Sequence, residues 1–311
     1  MTYSLDHRVA VTSRNQVASG SSLELKEHCS SVSFCAYGVK FELHVPDALL
    51  SQLAWPIVPG AEFTEKGQAD AALTVHERQS AEGEAGYEIF ENGAALSIVN
   101  NLEAAIRGVE AWAQLTVATL AKELVFVHAG VIGWKGRAIV VPGRSLSGKS
   151  TLVLSFVRHG ADYYSDEYAI FDSEGRVHPY WRQPKLRVRS DQDMATSLVG
   201  GRLKGAPPKP MPLGWVLISR YEAGSRWHPR RLSKGGTMLG LLDNTVPLRS
   251  RPEQSVKVLA TAVKNAQGFE GTRGEAADFA EQVLASLASP GFGVAASFRP
   301  AADDLKADAT G

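Results

Sequence analysis

Val140-Val-Pro-Gly143-Arg144-Ser145-Leu-Ser147-Gly148-Lys149-Ser150-Thr151-Leu-Val-Leu154 decides how this chain is read. The segment fits G-x-x-x-x-G-K-[ST] in full, with a β-branched run before it and a helix-like run, Leu152–Arg158, after it. That spacing has a physical reason. Glycines let successive backbone N–H groups turn inward around phosphate oxygens, and the first turn of the following helix adds its positive dipole end. Lys149 would neutralise the β- and γ-phosphates, and the Ser150 hydroxyl would ligate Mg²⁺. Gly143, Ser147, Gly148, Lys149, Ser150 and Thr151 are therefore the expected cradle for ATP. Arg144 and Ser145 either touch phosphate or, for Arg144, project into water. The bland alternative is a chance glycine-rich turn, which would not require the strand and helix on either side.

Moving outward, an acidic pair arrives at once in Gly160-Ala-Asp-Tyr-Tyr-Ser165-Asp166-Glu167. Asp166 lies 17 residues after Lys149, on the next expected strand. Transporter-type ATPases put their acidic strand far downstream and carry an LSGGQ-like signature, and neither arrangement occurs here. An acceptor hydroxyl attacking phosphorus must lose its proton, and a nearby carboxylate can take it. On the strand before the loop stands His128-Ala129-Gly130. A lone His in an apolar strand is more often a structural residue, so His128 acquires a role only in company.

These three blocks resemble the catalytic domain of bacterial HPr kinase/phosphorylase and its broader relatives, whose fold is similar to phosphoenolpyruvate carboxykinase. The family places a His where His128 stands, a P-loop at Gly143–Ser150, and Ala-Asp-Asp where this chain has Ser165-Asp166-Glu167. The resemblance extends over roughly residues 32–290. It implies an α/β fold, a mixed β-sheet with flanking helices. It also implies Asp166 as general base, Glu167 beside Ser150 as a Mg²⁺ ligand, and His128 hydrogen-bonded to Asp166. Departures are visible: Thr151 replaces a Glu common in the family, and the E-x-R-G-x-G motif tied to the phosphorylase reaction is absent. The chain looks closer to divergent relatives that phosphorylate a Ser hydroxyl on ribosomal peptides such as lasso precursors, or free amino acids. True HPr kinases are hexamers, but the divergence of this chain gives no warrant for that assembly here, and a homo-oligomer stays open.

Two domain-sized units are expected from 311 residues. Residues 1–100 read as a small β-rich unit: a strand or hairpin over Val32–Val45, then short strands at Leu73–Val75, Tyr87–Phe90 and Ala95–Val99. Residues 101–290 read as the catalytic unit. It opens with a helix capped by Asn100 or Asn101 that carries Leu102, Ile106, Val109 and Trp112 at helical spacing. Strands follow at Val125–Ile132, Arg137–Val141, Asp162–Phe171, around Lys185–Val188 and at Trp215–Ser219. A Pro-rich connection spans Ala206–Pro212, and two helices begin at Arg251-Pro252 and Gly274. Residues 291–311 read as a flexible tail.

Lys+Arg and Asp+Glu number 33 each, which gives no warrant for bulk nucleic-acid coating. The cancellation hides polarity: residues 1–128 hold 8 basic and 16 acidic side chains, whereas residues 176–234 hold 13 basic and 3 acidic. Within that basic block Lys185, Arg187 and Arg189 would share one strand face, and Lys185 and Arg187 are candidates to meet phosphate or an acidic acceptor. Two cysteines make no disulfide framework, no run of about 18 apolar residues suggests a membrane span, and the polar N-terminus does not read as a signal peptide. A cytoplasmic kinase acting on a peptide or protein Ser/Thr hydroxyl is the leading expectation. A small-molecule kinase (amino acid or sugar) and a nucleotide-binding regulator are the alternatives.

Overall fold

A computed structural model describes residues 29–79, 85–143, 148–182 and 208–288. It divides into two compact units between Leu124 and Val125.

The first unit is a six-stranded sheet in the order β3-β1-β2-β4-β5-β6, comprising β1 (Cys29–Ala36), β2 (Val39–Pro46), β3 (Glu62–Phe63), β4 (Ala71–Gln79), β5 (Ala85–Glu91) and β6 (Ala94–Val99). Strict alternation of buried and less buried residues along β1 is the expected signature of a sheet with one covered face. A short helix, α1 (Asp47–Leu50), follows β2. Helix α2 (Leu102–Leu120) begins at Asn101, whose side chain accepts a hydrogen bond from the Ala104 N–H at 2.9 Å. The helix belongs to this first unit, although the sequence reading put it at the start of the second. Trp112 explains why: its ring packs edge-on to Phe41 of β2, and its indole N–H donates to Glu91 of β5 at 2.8 Å.

The second unit carries an eight-stranded mixed sheet, β11-β10-β7-β8-β12-β14-β13, with β9 also paired to β7. Its strands are β7 (Val125–Trp134), β8 (Arg137–Pro142), β9 (Asp162–Ser165), β10 (Tyr168–Phe171), β11 (Arg176–His178), β12 (Met211–Tyr221), β13 (Arg230–Leu232) and β14 (Gln267–Arg273). β8, β12 and β14 run parallel, and the other pairings are antiparallel. The chain is thus α/β with mixed sheets, flanking helices and a small β-rich N-terminal region.

Period-two alternation assigns the sheet's residues to two cores. Val127, Ala129, Val131, Ala138 and Val140 join Leu241 of α4 (Lys234–Leu242) and Val258, Leu259 and Ala262 of α5 (Pro252–Val263). Ile132, Ile139 and Val141 join Leu152, Val153 and Phe156 of α3 (Lys149–Arg158) and Phe279 and Val283 of α6 (Ala276–Ala288). Gly130 of β7 is needed for this fit: a Cβ there would lie 2.6 Å from Val153 Cγ2.

Two expectations are adjusted. The single strand over Asp162–Phe171 is broken between Ser165 and Tyr168, because the buried Ser165 hydroxyl accepts from the backbone N–H groups of Glu167 and Tyr168 at 3.1 and 3.0 Å. The Pro-rich connection gives way to β12 already at Met211. The expected strand around Lys185–Val188 and the tail lie outside the described residues. Among the described residues, no helix is long and apolar enough to cross a membrane.

Candidate active site

β8 ends at Pro142 and α3 begins at Lys149, so the glycine-rich segment joins a strand to a helix as its motif requires. The Gly143 N–H donates to the backbone carbonyl of His128 at 3.1 Å, fixing the strand end against β7. Gly148 precedes the helix at φ +83°, a conformation that side chains with a Cβ rarely adopt. Arg144, Ser145 and Ser147 lie outside the described residues, as do Lys185 and Arg187.

In the first turn of α3, Lys149 is buried, Ser150 is half-buried and Thr151 is exposed. The Ser150 Oγ donates to Asp166 Oδ2 at 2.6 Å. Burial holds the Lys149 ammonium below its ordinary proton affinity, against the opposing pull of Glu167 and Asp166. That opposing pull puts both carboxylates within electrostatic reach of the lysine. A helix N-terminus, a buried ammonium and a hydroxyl therefore meet a carboxylate at one end of β8.

Asp166 and Glu167 sit on the bend between β9 and β10. Asp166, 6% exposed, turns to α3, with its Oδ1 3.2 Å from the Tyr163 hydroxyl. That hydroxyl has one hydrogen and lies closer to the Arg182 carbonyl, at 2.7 Å. Glu167 Oε1 lies 3.8 Å from His128 Nδ1. The hydrogen bond between His128 and Asp166 implied by the resemblance is not formed: Asp166 is engaged by Ser150, and the carboxylate beside His128 is that of Glu167. His128 instead packs its ring on Tyr168, and its buried Nδ1 has no hydrogen-bond partner. Burial, then the charge of Lys149, lowers its proton affinity below that of an ordinary histidine.

Three residues at this site escaped the sequence reading as candidates. Tyr163 supports Asp166 from beneath. Arg182 is half-buried just after β11, and although burial opposes its charge, Tyr180, Asp166, Glu167 and Tyr163 raise its proton affinity on balance. Arg182 lies within the basic block, so charge patterning was the signal that could have singled it out. Arg273, at the end of β14, faces Gly148. Elsewhere the basic block is partly neutralised locally: Arg176 pairs with Asp172, Arg230 with Glu270, and Arg220 with Glu222.

Ser150, Asp166 and Glu167 supply hard oxygen donors of the kind Mg²⁺ takes, one or two carboxylates with phosphate oxygens and water completing the shell. Among the described residues no group of three or more His, Cys, Asp or Glu could hold a metal ion. No protein-family model matches the chain, and no curated protein does.

Proposed function

We propose that this protein is an ATP-dependent kinase that transfers the γ-phosphoryl group to a Ser or Thr hydroxyl of a peptide or protein. We further propose that its second unit is a P-loop core of the HPr kinase/phosphoenolpyruvate carboxykinase type. The observation that carries the reading is the 2.6 Å hydrogen bond from Ser150, in the first turn of a helix entered through Gly148, to Asp166 on the adjoining bend. A chance glycine-rich turn would not call for a buried lysine and two carboxylates at the same helix end.

In this reading the N–H groups of the first turn of α3 and the Lys149 ammonium bind the phosphates. Mg²⁺, when bound, would offset phosphate charge, with Ser150 and Glu167 as its protein oxygens. Asp166 accepts the proton of the acceptor hydroxyl as its oxygen forms a bond to the γ-phosphorus, the bond to the bridging oxygen breaks, and ADP leaves. A carboxylate has about four lone-pair sites, so the bond from Ser150 leaves Asp166 free capacity for that proton. His128 and Arg182 flank the carboxylates, the first as a half-buried ring against Glu167 and the second as a cation.

The test is incubation with γ-labelled ATP and Mg²⁺, alongside host extract, short Ser-containing peptides and free amino acids, followed by mass spectrometry. Label on a peptide or protein hydroxyl is expected, and Asp166→Asn is expected to bind ATP yet lose transfer. Label confined to an amino acid or sugar would move the acceptor to a small molecule. ATP binding with no transfer would leave a nucleotide-responsive regulator, and no ATP binding at all would overturn the reading.

A further inference from the structure

Arg273 is 6% exposed at the last position of β14. Its Nε has no hydrogen-bond partner, and its Nη1 donates to the neighbouring Gly274 carbonyl at 3.0 Å. None of the ion pairs among the described residues includes it. The nearest acidic influence is Glu275, whose carboxylate already accepts the Tyr221 hydroxyl at 2.8 Å. The guanidinium is held instead by aromatic faces, 5.3 Å from the Tyr221 ring centroid and 5.9 Å from that of Phe279. A buried cation with spare donors and no paired anion is costly, and burial disfavours its charge.

What lies in front of that cation is the start of α3. A Cβ built on Gly148 would meet Arg273 Nη2 at 3.6 Å. Sheet topology explains the meeting: β8, β12 and β14 are parallel neighbours, so their C-terminal ends share one edge. The loop to α3 leaves β8 at that edge, and Arg273 leaves β14 there. Ligands of open α/β sheets bind outside such strand ends.

We propose that Arg273 is an anion-binding residue of this site, its guanidinium contacting the terminal phosphate of a nucleoside triphosphate seated at the N-terminus of α3. The inference rests on the nucleotide-binding reading above and adds a phosphate ligand contributed more than a hundred residues downstream. A guanidinium preorganised by two aromatic rings, with an unpartnered Nε and with Nη2 facing Gly148, suits a phosphate oxygen at the start of α3.

Calorimetric titration of the full chain with Mg²⁺ and either ADP or a non-hydrolysable ATP analogue tests it, using wild type, Arg273→Gln and Arg273→Lys. Wild type is expected to favour the triphosphate. Arg273→Gln is expected to bind the triphosphate roughly 10- to 100-fold more weakly, as for loss of a charged hydrogen bond. Its ADP affinity should stay within about threefold of wild type, a change small beside the tenfold that 1.4 kcal/mol represents. If Arg273→Gln fails to fold by circular dichroism, Arg273→Lys decides, because it keeps the charge and the stem but loses the planar fork. A folded variant that retains the full triphosphate preference overturns the proposal, leaving Arg273 as packing for Tyr221 and Phe279. So does a wild type that binds both nucleotides equally, which would leave the nucleotide-binding reading intact. Wild type binding neither nucleotide would overturn both.

Discussion

The Ser150 hydroxyl donates to Asp166 at 2.6 Å, tying the first turn of α3 to the bend between β9 and β10. Residues 16 apart in sequence thereby act as one unit, so their substitutions are expected to be non-additive. Ser150→Ala should lower phosphoryl transfer by about 10- to 100-fold, the cost of losing a metal ligand, and Asp166→Asn, which removes the general base, by about 100-fold or more. The double variant should be little worse than the weaker single one. Steady-state transfer rates for the four proteins check this, and fully additive losses would show that the two side chains act separately.

Lys149→Ala should weaken ATP binding by about tenfold to a hundredfold, the range for losing a charge-assisted hydrogen bond. Titration calorimetry at fixed Mg²⁺ measures it. An affinity equal to wild type would remove Lys149, and with it the phosphate-binding loop, from the reading.

Gly130→Ala should destabilise the second unit by about 1–3 kcal/mol, because its Cβ would meet Val153 Cγ2 at 2.6 Å and push α3 from β7. Shortening the obstacle should relieve part of that strain, so Val153→Ala should cost less in the Gly130→Ala background than in wild type. Urea denaturation of the four proteins reads the coupling. Equal costs in both backgrounds would mean that α3 does not rest on Gly130.

Asp172 caps the β10–β11 turn, accepting from the backbone N–H groups of Glu174 and Arg176, from Arg176 Nε at 2.9 Å and from His178 Nε2 at 2.8 Å. Burial pushes its carboxyl up, but the bonds from His178 and Arg176 outweigh this and leave it below its ordinary 3.8. A carboxyl depressed in the folded state stabilises the fold above its unfolded value, and that stabilisation fades as pH falls through the lower folded value. Asp172→Asn should therefore cost about 1 kcal/mol near neutral pH. The difference from wild type should hold down to about pH 5 and shrink below about pH 4, as urea melts across that range would show. A difference that grew on acidification would reverse the assignment.

Much of the local structure was legible because its causes are local. Asn101 caps α2 as its side chain predicts, the hairpin around Tyr37-Gly38 turns where β-branched runs flank it, and the strand-to-helix passage around Gly143 and Gly148 follows from the motif's glycines. The acidic pair was visible for the same reason, being close in sequence to Lys149. β13, β14 and α4 were not: β13 is too short, and the glycine-containing β14 and α4 carry too little periodicity, to register.

What the sequence determined by itself, then, is the set of short-range relations: caps, turns, alternation, and the run of Gly, Lys and Ser that shapes one helix N-terminus. Tertiary structure alone decided that Trp112 carries α2 into the first unit, that His128 faces Glu167 rather than Asp166, and that Arg273 reaches Gly148. The physical reason is that these meetings depend on sheet order and on which way neighbouring side chains point. β14 reaches the edge beside β8 only because β12 runs parallel between them, a pairing across long chain separations that no local periodicity encodes.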